Sequence, residues 1–241
     1  MVSLALAVVG LLVGVIAEGI ATDRSFSSIR QHPGRTPTAA IVTALLFALT
    51  PLAVDVDWVL PAYLWFVAVT VTLTLTDIDT KLIPNRILFP GTVIGLVLLL
   101  GGAIVEDGPL VRPLAGGVIY FLLLLVLALI ARGGFGFGDV KLAFLLGLFT
   151  AYQSWETLIV AVFAAFLLGG LVSAILVVFR IRSRKDSFPF GPSLVAGAYL
   201  AVVWAGTIST WYLDTAAWDT ERPMPRWFSD PLPHCRRVSR S

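Results

Sequence analysis

Thr76-Asp77-Ile78-Asp79-Thr80-Lys81-Leu82-Ile83-Pro84-Asn85 breaks an apolar stretch and sets two carboxylates beside a hydrophobic span. A second such junction follows at Gly136-Phe137-Gly138-Asp139-Val140-Lys141-Leu142. An unpaired carboxylate at membrane depth costs about 2.5–3.5 kcal/mol on insertion scales, so an ionisable residue there marks a functional site by default. Two of them, each in a Gly- or Pro-marked stretch, point to a pair.

The flanks of both junctions set the fold class. Of 241 residues, 58% are hydrophobic and 13% charged, and the mean hydropathy is +0.91, far from the balance of a soluble domain. The apolar segments, roughly 17 to 25 residues long, suit helices crossing a hydrocarbon core of about 30 Å, whereas transmembrane strands leave short alternating runs. The expected fold is all-α, a polytopic transmembrane helical bundle of about eight helices. Spans fall at roughly 2–22, 39–54, 58–76, 87–105, 113–131, 140–153, 156–179 and 190–213. They make residues 1–213 a membrane-embedded domain, and 214–241 a polar tail. Pro223, Pro225, Pro231 and Pro233, with no apolar period, predict an irregular tail. The sixth span is the shortest and starts directly at Asp139, so a tilted or partly embedded helix is an alternative there; failure to cross would invert everything downstream.

Charge orients the bundle. Loops after spans one, three, five and seven carry Arg24, Arg30, Arg35, Lys81, Arg86, Arg132, Lys141, Arg180, Arg182, Arg184 and Lys185, whereas the intervening loops carry only Arg112. The positive-inside rule then puts both Asp-bearing stretches at the cytoplasmic face of a cell membrane and both termini outside. No Lys or Arg precedes the first apolar run, so span one is expected as a retained helix, not a cleaved signal. A net charge of +2 with dispersed basic residues leaves no nucleic-acid footprint. The single cysteine, Cys235, forms neither an internal disulfide nor a four-thiolate zinc site. No internal repeat supports an inverted-repeat transporter.

Two carboxylates hydrolyse a peptide bond when one takes a proton from water while the other, still protonated, polarises the scissile carbonyl; close approach keeps both from ionising together. This chemistry needs no metal and no cofactor. Asp77 and Asp139 supply it if spans three and six are neighbours, with Gly136 and Gly138 allowing close backbone approach. Pro84 is expected to end helical structure shortly after Asp77. Equally, an aspartate near a helix end is most often a cap or an interfacial charge, and Asp139 sits where an N-cap belongs.

The segment from Asp77 to Asn85 resembles the first aspartate motif of the type IV prepilin peptidase family, the prepilin leader peptidases. Gly136 to Leu142 resembles that family's Gly-x-Gly-Asp-x-Lys-Leu motif, and Phe188-Pro189-Phe190-Gly191-Pro192 its Pro-Phe-Gly-Pro sequence at the start of the last helix. The resemblance covers roughly residues 60–205. It implies a GxGD-type intramembrane aspartic endopeptidase that removes the basic leader of type IV prepilins or pseudopilins at the cytoplasmic face, typically after a glycine. Its catalytic pair would be Asp77 and Asp139, its partners a prepilin or pseudopilin precursor and membrane lipids. Asp79 competes with Asp77, because it lies about 200° around the helix and both cannot face one partner; the family spacing to Ile83-Pro84-Asn85 favours Asp77. Bifunctional members also N-methylate the new terminus with S-adenosylmethionine and usually carry Cys-x-x-Cys pairs after the first helix. The stretch from Thr22 to Thr38 has no cysteine, so no zinc-stabilised insertion is expected and methyl transfer stays open.

Supporting residues have plainer expected roles. Lys141 either stabilises an ionised aspartate or, as the commoner use of such a lysine, anchors its helix end at lipid headgroups; Asn85 is expected to serve the turn, with a hydrogen bond to the substrate backbone as the alternative, and Glu18 to reach the interface near Arg24 in preference to a functional role. Trp58, Tyr63, Trp65, Trp155, Trp204, Trp211 and Tyr212 are mostly belt candidates. The run Arg180, Arg182, Arg184 and Lys185 holds its loop inside against anionic lipid. Two other functions compete: a proton-coupled transporter, whose carboxylates belong near mid-span in matching broken helices, and an inactive scaffold for pilus or secretion assembly. The position of the aspartates near helix ends on one face favours hydrolysis.

Overall fold

A computed structural model describes residues 2–21, 35–54, 57–130, 136–179 and 190–217. Eight helices run through them: α1 (Val2–Ala21), α2 (Arg35–Ala53), α3 (Leu60–Thr80), α4 (Asn85–Val105), α5 (Val111–Ile130), α6 (Phe137–Gln153), α7 (Trp155–Val178) and α8 (Gly191–Ala217). No strand occurs among the described residues, and the all-helical expectation holds. The chain forms two units, Met1–Gly206 and Thr207–Ser241; all packing below lies within the first. Outside the described residues fall Arg24, Arg30, Arg132, the basic run from Arg180 to Lys185, Phe188, Pro189 and residues 218–241 with Cys235; so do the side chains of Glu18, Trp211 and Tyr212.

Helices α3, α4, α5 and the Trp155–Leu176 part of α7 are long and apolar enough to cross a membrane. Shorter apolar runs occupy Val2–Ala17, Ala39–Pro51 and Gly191–Trp204. Large apolar side chains stand exposed along α4 (Phe89, Val97), α5 (Ile119, Leu122) and α7 (Phe163, Leu167), a surface suited to contact with acyl chains. The protein is a multi-pass membrane protein.

Helix α6 is different. Leu145, Leu146, Leu148 and Phe149 are fully buried, and so are Ala143, Thr150 and Ala151. Its small residues let neighbours approach: a Cβ at Gly147 would lie 2.5 Å from the Gly116 carbonyl oxygen and 2.8 Å from Gly117 Cα on α5. Helix association within lipid rests on such backbone proximity, since burying apolar surface gains little there. Gly10 and Gly14 of α1 do the same against Ala44 and Ala40 of α2, at 2.7 and 2.6 Å. The 17 residues of α6 span about 26 Å at 1.5 Å per residue, slightly less than the hydrocarbon core. Enclosure by protein explains both its length and its modest hydropathy.

Its far end is capped by Arg112, which donates to the carbonyls of Tyr152 and, at 2.9 Å, Gln153, a cation satisfying the last carbonyls of a helix. Two aromatic residues leave the expected belt. Tyr63 is buried and donates its hydroxyl to Phe149 O at 2.8 Å, while Trp65 donates to Gly91 O at 2.9 Å. Both serve helix packing because their polar tips find carbonyl partners inside the bundle. Trp58, Trp155 and Trp204 remain exposed.

Candidate active site

Helix α3 runs four residues past the expected end of span three. It stops at Lys81, whose left-handed conformation (φ 54°) returns its N–H to Asp77 O at 2.8 Å. Asp77 therefore lies in the last helical turn and is 4% exposed, while Asp79 is on the exposed side. Pro84 plays a different part from the one expected. It is the N-cap of α4, its carbonyl accepting from the Ile87 and Leu88 amides at 3.0 Å, because the turn at Lys81 has already ended α3. Asn85 is the first residue of α4.

Asp139 also sits differently. The N-cap of α6 is Gly136 (φ −72°, ψ 136°), and the helix begins at Phe137, so Asp139 occupies the third helical position. There its carboxylate accepts from the Gly136 amide, the reach-back half of a capping box. Asp139 is 7% exposed, and the N-terminal dipole of α6 favours negative charge at this place.

The two acids meet at a third element. Helix α8 opens at Gly191, and a Cβ there would stand 2.6 Å from Asp77 Oδ2 and 3.5 Å from Asp139 Oδ1. One point beside the Gly191 backbone thus lies against both carboxylates. The Gly191 amide acts on the Asp77 carboxylate, although Oδ2 itself has no hydrogen-bond partner among the described residues. Spans three and six are neighbours, and Asp77, not Asp79, faces Asp139.

The surrounding motif residues interlock. A Cβ at Gly138 would meet Ile83 Cβ at 3.0 Å, so the helix start presses on the Ile83-Pro84-Asn85 turn. Lys141 Nζ donates to Asn85 Oδ1 at 3.0 Å and stands 5.0 Å from the Phe137 ring centroid. Lys141 thereby ties the two motifs together, which headgroup anchoring alone does not capture. The pair is exposed, so its stabilisation is below about 1 kcal/mol. In thermal unfolding in detergent, Lys141→Met and Asn85→Ala should each lower Tm slightly, and the double variant should fall no further than the lower single. Additive losses would show that the bond does not form.

A multi-pass helical bundle whose buried carboxylates converge from separate helices is the class this architecture defines. The Type IV leader peptidase family model matches residues 64–174, a stretch holding both aspartates. A prepilin leader peptidase/N-methyltransferase of Bacillus subtilis (strain 168) is 32% identical over 183 residues, covering 75% of this chain and 70% of that protein. Proteins of the same name from Aeromonas salmonicida (strain A449) and Neisseria gonorrhoeae are each 30% identical, covering 75% and 82% of this chain. The chain belongs to the Type IV leader peptidase family. It spans 62% of the Aeromonas relative's length and 63% of the Neisseria relative's. No solved structure matches it.

Proposed function

We propose that this chain is a membrane aspartic endopeptidase that cleaves the basic N-terminal leader of a type IV prepilin or pseudopilin. The observation that carries this is the meeting of Asp77 and Asp139 beside Gly191, within a chain of the leader peptidase family. One carboxylate takes a proton from water as the water oxygen bonds to the scissile carbonyl carbon; the other, protonated, gives its proton to the carbonyl oxygen. Collapse of the tetrahedral intermediate returns one hydroxyl proton to the second carboxylate and breaks the C–N bond, and the amine leaves with the proton first taken from water. Which acid starts protonated is a property of the pair. The N-termini of α6 and α8 both face this site, so their dipoles stabilise its negative charge without a metal.

The Lys and Arg bias of the loops supports a cytoplasmic site with both termini outside. A basic leader is drawn to Asp77, Asp79 and Asp139 at that face. The aspartates lie in the last turn of α3 and the first turn of α6, away from the mid-span position of a transporter's carboxylates. The mechanism calls on no cofactor; S-adenosylmethionine belongs to a separate methyl transfer.

The test is co-expression with prepilin-like precursors from the same genome and mass spectrometry of their N-termini. Loss of the basic leader is expected, and an added methyl mass would extend the proposal to S-adenosylmethionine chemistry. If no precursor is cut, the assignment moves to a transporter or an assembly scaffold.

A further inference from the structure

Thr74 breaks a rule that its own helix obeys. Thr70, Thr72, Thr76 and Thr80 each donate their hydroxyl to the carbonyl four residues back, at 2.7 to 2.8 Å, the usual resting place for a helical threonine. The Thr74 hydroxyl is buried and has no partner among the described residues. Asp77 Oδ2 is in the same state. Two buried polar atoms left unpaired are costly, and a native structure retains them where something else completes them.

The two are neighbours. Residues three apart on a helix lie on one face with Cβ atoms about 5–6 Å apart. Helix α8 runs along this face: Gly191 stands against Asp77 at one end, and Tyr199 bonds Thr70 at 2.6 Å at the other. Thr74 lies between these two contacts along α3, one turn deeper than the carboxylate. Residues 78–80, past Asp77 at the end of α3, are exposed, so seen from that end a group held by Thr74 sits behind Asp77.

We propose that Thr74 is a positioning residue for the reaction, its hydroxyl and Asp77 Oδ2 together holding one buried water that fixes the Asp77 carboxyl against Asp139. Such a site has the polar partners a buried water requires. A hydroxyl suits the task because it donates to the water and accepts from it, matching either protonation state of Asp77. Serine shares this capacity, whereas valine has the shape of threonine without it.

The inference rests on the two-aspartate mechanism, and the experiment separates the two. Cleavage of a co-expressed prepilin precursor is measured in isolated membranes for the native chain, Thr74→Val, Thr74→Ser, Asp77→Asn and Asp139→Asn, with Tm in detergent as the folding control. Thr74→Val keeps the shape and removes the hydroxyl. It should lower kcat about tenfold, the size of one hydrogen bond to a charged group, with KM within about twofold. Thr74→Ser should retain kcat within about twofold of native. A Thr74→Val enzyme with native kcat, or a Thr74→Ser enzyme as impaired as Thr74→Val, overturns the role of Thr74 while leaving the aspartates intact. A kcat loss that merely follows a fall in Tm overturns it too. Activity surviving in both Asp→Asn variants overturns the mechanism itself.

Discussion

Asp77→Asn and Asp139→Asn should each reduce precursor cleavage by at least about 10³-fold, with Tm in detergent equal to or above that of the native chain. Asparagine keeps the shape of aspartate but cannot accept a proton, so either change removes one half of the acid and base pair. Stability should not suffer, because each substitution replaces a buried ionisable carboxyl by a neutral amide of the same shape, which costs less to desolvate. Asp139→Asn retains a side-chain oxygen for the Gly136 amide, so the start of α6 stays capped. Asp79→Asn, on the exposed side of α3, should change the rate less than about fivefold, through weaker attraction of a basic leader. The measurement is leader release at matched membrane abundance. A dead Asp79→Asn beside an active Asp77→Asn would move the first acid by two residues and contradict the packing of α3.

Gly191→Ala should lower kcat about 100-fold in the same assay, with the folded state intact. Its Cβ would lie 2.6 Å from Asp77 Oδ2 and 3.2 Å from Asp77 Cγ, well inside van der Waals contact. Either the carboxyl or the start of α8 must shift by close to 1 Å, and a displacement of that size at reacting groups costs on the order of 10²-fold in rate. The helix itself tolerates alanine well at its first position. Gly170→Ala is the matched control, because a Cβ there meets nothing within 4 Å; it should cleave at the native rate. A Gly191→Ala enzyme with native kcat would mean that the two acids do not meet beside this glycine.

The expected spans found every described helix, and two of the ends that differ lie at the candidate site. The apolar pattern ends span three at residue 76. Burial against α8 and the Lys81 turn carry α3 on to Thr80. Asp139 resembles an N-cap because it precedes an apolar run, yet Gly136 takes that place and frees the carboxylate to face Asp77. Gly191 was visible in a family-like stretch, but its contact with Asp77 has no local signature. Thr74 had none either, since an unpaired hydroxyl appears only when its surroundings are known.

Sequence alone determined the membrane setting, the helical class and the two aspartate motifs. Apolar length, charge bias and residue order are local properties, and the bilayer imposes its thickness on each span separately. Tertiary structure decided which acid turns inward, why α6 is short, and that Gly191 stands against both carboxylates. Those depend on backbone approach between helices far apart in the chain, and close packing fixes such distances to fractions of an ångström that no local pattern encodes.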